Sequence, residues 1–156
     1  MFKVISWVAV ILWMALIFYL SHQPAGESSE LSSGVTALIL SIIEGIVPAA
    51  VNVDFDIFHF YIRKGAHFAA YFVLGLFVVN ALYASGVKGL RSVLVALLIS
   101  VLYAASDEYH QTFIPGRSGE VSDVLIDAIG SATGIVCYLL AVKLKHLGTV
   151  RLLRKR

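Results

Sequence analysis

Charge is what this sequence has least of. Only 14% of its 156 residues are Asp, Glu, Lys or Arg, against about 25% in an ordinary soluble domain. That shortage argues against a soluble enzyme and against a nucleic-acid binder. A disordered chain is excluded from the other side, because hydrophobic residues make up 59% and mean hydropathy is +0.86. Cysteine is almost absent. The single Cys137 lies in an apolar run, so no internal disulfide can form, and the expected role is a small packed apolar residue. No internal repeat or low-complexity segment occurs. The first apolar run has only a thin basic region before it. The SHQPAGESSE that follows it offers no convincing small-x-small cleavage site, so an uncleaved helix is expected rather than a secretory signal. The length suits one domain, taken as residues 1–156.

What is there is membrane-spanning sequence. A helix needs about 20 mainly apolar residues to cross the hydrocarbon core. Runs at about 4–20, 65–84, 90–106 and 121–142 meet that need. The stretch 35–47 is too short, but its apolar residues Val35, Leu38, Ile39, Ile42, Ile43 and Ile46 fall in the i, i+3, i+4, i+7 pattern of an amphipathic helix. The expected fold is therefore all-α: a bundle of four transmembrane helices plus a short interfacial amphipathic helix in the first outer loop, ended by Pro48. A re-entrant segment, or a helix packed over the mouth of the bundle, is the alternative for that stretch. The net charge is only +2, yet its distribution is uneven. With the N-terminus inside, nine of the twelve Lys and Arg residues are cytoplasmic: Lys3, Lys88, Arg91 and the six from Lys143 to Arg156. Arg63, Lys64 and Arg117 are then outside. The positive-inside rule thus predicts a multi-pass protein of the cell membrane with both termini cytoplasmic, and the tail Arg151–Arg156 reads as an ordinary positive anchor. All ten acidic residues fall on the outer loops or outer helix ends.

Three short segments concentrate the ionisable groups. In the first, Lys64, His67 and Tyr71 are spaced i, i+3, i+7 and share one helix face, with Arg63 beside them. The second is Ser106-Asp107-Glu108-Tyr109-His110-Gln111, where Asp107, His110 and Gln111 share a face. The third runs from Pro115-Gly116-Arg117 to Glu120, Asp123 and Asp127, and its stripe continues through Gly130 and Gly134. That pair of glycines is a small-residue seam that lets another helix approach. Asp127 faces the same neighbour, about two turns into the span. A charged side chain at the bilayer centre costs at least about 2.5–3.5 kcal/mol, so it needs a partner, a proton or water, and Lys64, His67 and Arg117 are the available cations. A buried ion-pair network fixing helix packing is one reading. The mixture of cations, acids, histidines and an amide favours a site for a phosphate, sugar or carboxylate. Glu108, His67 and Asp107 are the candidate acid–base groups. Lys64, Arg117, Gln111, Tyr71, Asp123 and Asp127 are candidates for substrate binding. His67, Asp107, Glu108, His110, Asp123 and Asp127 are all competent oxygen or nitrogen ligands, which makes a metal site an alternative reading; no His-x-x-x-His or Glu-x-x-His spacing anchors one, so neither metal nor cofactor is expected. Ser118 reads as an N-cap of the last helix, Pro115-Gly116 as a turn and the aromatic run 55–61 as an interfacial belt. His22 and His59 are weaker candidates, His110 is as readily structural as functional, and His146 reads as incidental.

These segments carry a resemblance. Lys64-x-x-His67-Phe68-x-x-Tyr71, then Asp107-Glu108-x-His110-Gln111-x-Phe113-x-Pro115-x-Arg117, then Asp123-x-x-x-Asp127-x-x-Gly130-x-x-x-Gly134 are similar to the VanZ-like family, as is Ser21-His22-Gln23-Pro24. The resemblance covers nearly the whole chain. Asp127 stands where some members carry Asn, so the resemblance does not itself demand a charge there. It implies a small multi-helix membrane protein whose namesake is associated with resistance to the glycopeptide teicoplanin. Together with the outer polar site it leads to the expectation of a protein that binds or acts on a lipid-linked cell-wall precursor, another envelope component or a glycopeptide, in contact with membrane lipids and not with nucleic acid. The Ser-Gly-His core of the familiar acid-phosphatase superfamily is absent, Ser118-Gly119 being followed by Glu120.

Overall fold

The computed structural model describes residues 1–46 and 54–153. Five helices follow one another, with no strand among the described residues: α1 (Phe2–Ser21), α2 (Ala25–Ile46), α3 (Phe55–Ala84), α4 (Leu90–Gln111) and α5 (Val121–Leu153). All five contain a stretch long and apolar enough to cross a membrane. This is a multi-pass membrane protein.

The helices outrun the apolar stretches that announce them. α3 begins ten residues before the apolar run at 65 because Asp54 caps it. The Asp54 carboxylate accepts from the backbone N–H groups of Asp56 (2.9 Å) and Ile57 (3.3 Å), satisfying two of the donors that a helix start leaves unpaired. The aromatic run 55–61 is thereby helical, with Phe55, Phe60 and Tyr61 exposed. At 30 residues, α3 is about 45 Å long against a hydrocarbon core of about 30 Å. α4 likewise continues to Gln111, so Asp107 and Glu108 sit on a helix and not in a loop.

The short amphipathic helix expected at 35–47 is the second half of a longer one. α2 runs unbroken from Ala25 to Ile46; Val47 and Pro48 lie outside the described residues. Its apolar side chains Val35, Leu38, Ile42 and Ile46 are exposed, while Thr36 is buried. The Thr36 hydroxyl is satisfied by the Ser32 carbonyl at 2.7 Å, and the Ser32 hydroxyl contacts His59 Nε2 at 2.7 Å. So α2 leans its small polar side on the first turns of α3 and turns its apolar side outward, an arrangement suited to lipid and not to water.

α3 and α5 are the most closely packed pair, as the glycine seam requires. A Cβ on Gly130 would strike the carbonyl oxygen of Phe68, one on Gly134 that of Phe72, and one on Gly75 that of Ser131. The backbones therefore touch, and the Ser131 hydroxyl donates to the Tyr71 carbonyl across the seam at 3.0 Å. α4 joins with a stripe of small residues, Ser92, Ala96, Ser100 and Ala104, all fully buried. α1 is the most peripheral of the four tightly associated helices. It buries Val10 and Ile17 and is pinned by Trp13 Nε1 donating to the Ala70 carbonyl (2.8 Å) and by Tyr103 donating to the Met14 carbonyl (2.6 Å). Cys137 is exposed on the outer surface of α5, which corrects the expectation of a packed core residue. The α5 stripe that faces the core runs through Asp127, Ser131 and Ile135.

Candidate functional site

The small stripe on α4 ends in Asp107, Glu108 and Gln111, which continue the same buried face. There the end of α1, the start of α2, α3 near Lys64 and the start of α5 converge. The 114–117 turn closes this end of the bundle. Arg117 N–H donates to the Ile114 carbonyl at 3.1 Å, and Gly116 has φ +76°, the conformation that a type II turn demands after proline. The Pro115 carbonyl then accepts from Ala25 N–H at 3.2 Å, tying the start of α2 to the turn. Ser118 is not the N-cap of the last helix. α5 begins at Val121, and Ser118 lines a polar cavity instead.

The charged residues fall into two groups. The outer group is closed upon itself. The Lys64 ammonium pairs with Asp123 and with Glu120, the latter at 3.0 Å, and lies 5.4 Å above the Phe60 ring. Glu120 N–H donates to Glu108 Oε2 at 2.9 Å. The hydrogen bond and charge of Lys64, with a further bond from Ser122, hold the Glu120 carboxyl below its ordinary pKa. Lys64 and Asp123 thus act first as a clamp between α3 and α5.

The inner group is not closed. Asp127 is fully buried, and neither of its oxygens has a hydrogen-bond partner. His67 Nδ1 lies 3.4 Å from Asp127 Oδ1 without forming a hydrogen bond. Asp107 Oδ1 and the Tyr71 hydroxyl are also buried and unpartnered. Gln111 alone bridges neighbours, its amide nitrogen reaching Ser21 Oγ (2.8 Å), Glu108 Oε1 (3.2 Å) and Asp107 Oδ2 (3.4 Å). One ligand-competent atom each from His67, Glu108 and Asp127 lies within 4.8 Å of the other two.

Among the described residues, Arg117 is engaged through one nitrogen only. Its Nη1 donates to the carbonyls of Leu20 (3.3 Å), Ser21 (2.8 Å) and Gln23 (3.3 Å), capping the end of α1. The other guanidinium nitrogens make no hydrogen bond among the described residues. Burial first, and then the charge of Arg63, lower the Arg117 pKa from its ordinary value; a guanidinium stays charged regardless. Arg63 makes no ion pair or hydrogen bond among the described residues, so two cations stand near each other with one of them unpaired.

Two cavities meet at this point. One, of about 360 Å³, is lined by Ile17, Leu20, Leu31, Val35, Ile62, Ala66 and Ala70, and ends on His67, Tyr71, Asp107 and Arg117. The other, of about 270 Å³, is lined by His59, Lys64, Gln111, Ser118, Glu120 and Asp123. Arg63, His67 and Arg117 belong to both.

All nine residues singled out from the sequence therefore come to this end of the bundle. His110 turns away from it. Its ring lies tilted against Phe18 (4.5 Å) and stacks on His22 (5.3 Å), with its Nε2 3.4 Å from His22 Nδ1. Arg63, Ser21 and the α2 residues Leu31 and Val35 were not among the site candidates. Arg63 precedes His67 by four residues, the same helix-face spacing that grouped Lys64 with His67 and Tyr71. No local signal marks the α2 residues, which depend on where α2 leans.

An all-helical membrane bundle with polar groups gathered at one end is the class that fold and site define. The chain belongs to the VanZ/LLP1 family, whose model matches residues 6–142, nearly the whole chain. No curated protein and no solved structure matches it.

Proposed function

We propose that this protein takes an anionic amphiphile of the cell envelope into its outer face, either a phospholipid or a lipid-linked cell-wall precursor. The headgroup sits against Arg63 and Arg117, and the apolar chain lies in the slot between α1, α2 and α3. The observation that carries the reading is the pair of adjoining cavities, one apolar and one polar, which share Arg63, His67 and Arg117. An amphiphile has this division of character, and a guanidinium with free donors suits a phosphate or carboxylate. On this reading His67, at the junction, is placed to exchange a proton with a bound headgroup, with Asp107 and Glu108 behind it. A cell-wall precursor as occupant would connect the chain to glycopeptide susceptibility.

The reading includes a topology. α1, α3, α4 and α5 cross the membrane with both termini cytoplasmic, and α2 lies at the outer surface. The position of α2 supports this. It starts at the level of the site, tied to Pro115, and Ser32 pairs with His59, two turns beyond His67 on the outer part of α3. Replacing Cys137 with Ser and placing single cysteines at Ser118 or Lys88 tests the orientation: an impermeant maleimide on intact cells labels the first and not the second.

The decisive experiment is lipid mass spectrometry on full-length protein purified in mild detergent. Wild type retains a stoichiometric anionic lipid, and Arg63→Gln/Arg117→Gln retains at least about tenfold less. The identity of the lipid separates a phospholipid from a precursor. Equal retention by wild type and variant sinks the reading. It would leave a second one, in which the charges only hold the helices together; the Lys64 clamp to Asp123 and Glu120 favours that role for those three residues.

A further inference from the structure

We propose that His67, Glu108 and Asp127 form a site for one divalent transition-metal ion of the Zn²⁺ or Mn²⁺ type, held between α3, α4 and α5. The geometry comes first. The three candidate ligand atoms are mutually within 4.8 Å. A tetrahedral zinc ion sets its ligand atoms about 3.3 Å apart, so each side chain has to draw in by less than about 1 Å. One imidazole among carboxylates selects a transition metal over Mg²⁺ or Ca²⁺. Three protein ligands leave open the coordination position that metal sites use for water or substrate.

The second observation is independent of spacing. Asp127 is fully buried with neither oxygen hydrogen-bonded, and a carboxylate at that depth requires more compensation than one imidazole at 3.4 Å. Two of the neighbouring cations are engaged elsewhere, and the third stands at ion-pair distance without a hydrogen bond. Lys64 holds Asp123 and Glu120; Arg117 caps α1 through Nη1; His67 approaches Asp127 only to 3.4 Å. Asp107 adds a third carboxylate, with Oδ1 unpartnered. Three acids facing one imidazole suit a doubly charged ion better than an ion-pair network. Such a network would also be expected to satisfy its own oxygens, as the Lys64 clamp does. Because His67 lines the polar cavity, an ion here is within reach of a headgroup held by Arg63 and Arg117. That last step rests on the amphiphile reading; the metal site does not.

The test uses tag-free full-length protein in detergent, stripped with chelator and re-equilibrated with Zn²⁺ or Mn²⁺ alone. Equilibrium dialysis with elemental analysis is expected to give one ion per chain. Asp127→Asn and Glu108→Gln are each expected to weaken binding by at least about 100-fold, with size-exclusion profiles matching wild type. Wild-type protein without a stoichiometric ion, or variants that bind as wild type does, overturn the proposal. Should the variants fail to fold, pulsed electron paramagnetic resonance of Mn²⁺ on wild type decides. Coupling to a single imidazole nitrogen is expected, and a spectrum with no nitrogen coupling overturns the assignment. No lipid enters these measurements, so their failure leaves the amphiphile reading to its own test.

Discussion

Replacing Asp127 with Asn separates a packing device from a ligand by the sign of one stability change. Asn is nearly isosteric and removes the charge. If Asp127 and His67 are a structural ion pair, deleting one partner strands the other and destabilises the bundle by about 3–5 kcal/mol. The structure predicts the opposite in the absence of metal. Asp127 has 0% exposure, neither oxygen is hydrogen-bonded, and the closest cationic atom is 3.4 Å away. A buried unsatisfied polar group costs about 1–3 kcal/mol, more when charged. Asn keeps a buried polar group and removes only the extra penalty of the charge, so Asp127→Asn in chelator should be at least as stable as wild type. The assay is equilibrium unfolding of purified protein in mixed detergent micelles at pH 7, with chelator and then with Zn²⁺ or Mn²⁺. At a metal concentration of 100 times Kd, wild type should gain about 2.7 kcal/mol and the variant almost nothing. A loss of about 3 kcal/mol or more for the variant in chelator refutes this reasoning and makes Asp127 a packing residue.

Three further outcomes follow from other parts of the molecule. Gly134→Ala should destabilise by about 1–3 kcal/mol through overpacking, because its Cβ meets the Phe72 carbonyl. In the same unfolding assay Gly65→Ala, where nothing lies within 4 Å, should be neutral or stabilising by up to about 1 kcal/mol; equal effects would deny the backbone contact at the seam. Glu120 has its carboxyl held below its ordinary pKa, chiefly by Lys64, so its stabilisation is complete above the unfolded value of about 4.3 and is lost as pH falls through the lower folded value. Glu120→Gln should flatten the acid limb of the stability profile below about pH 4.3; the change is small because the side chain is 51% exposed, and an unchanged acid limb contradicts the pairing. Finally, at matched membrane abundance, cells carrying Glu108→Gln should lose whatever glycopeptide protection wild type gives. Equal protection would show that an ionised Glu108 is unnecessary.

Four of the five apolar helices were legible as spans because length and hydropathy are properties that each meets by itself; α2 was read as too short, yet its full length also contains a stretch long and apolar enough to cross. The helix ends were not legible, because they depend on local caps and on what the neighbours supply. Asp54 starts α3 ten residues before its apolar run, and no hydropathy reading registers a carboxylate accepting two backbone N–H groups. The glycine seam was legible for a similar reason: Gly130 and Gly134 share a face with Asp127 whatever lies opposite. That Phe68 and Phe72 lie opposite is a fact about two helices, and no spacing within α5 states it.

The same distinction explains why the site residues were legible and their division was not. Helix-face spacing collects Lys64, His67 and Tyr71, or Asp123 and Asp127, but cannot say which acid meets which cation. In the fold Lys64 reaches Asp123 and Glu120 and leaves Asp127, one turn deeper, to His67. A metal motif within one helix announces itself by an i, i+4 pair. His67, Glu108 and Asp127 come from three helices, so the lack of His-x-x-x-His carried no information about them. What makes this end of the bundle more than a clamp is the contrast between its two layers. Of the outer charges, Lys64, Glu120 and Asp123 satisfy one another near water, where an unpaired charge is cheapest. Of the inner ones, Asp127 has no hydrogen bond and only the 3.4 Å ion pair with His67, and Asp107 Oδ1 has no hydrogen-bond partner, where a poorly compensated charge costs most. Packing alone gives no reason for that contrast; the proposed cation beside an anionic headgroup would supply one.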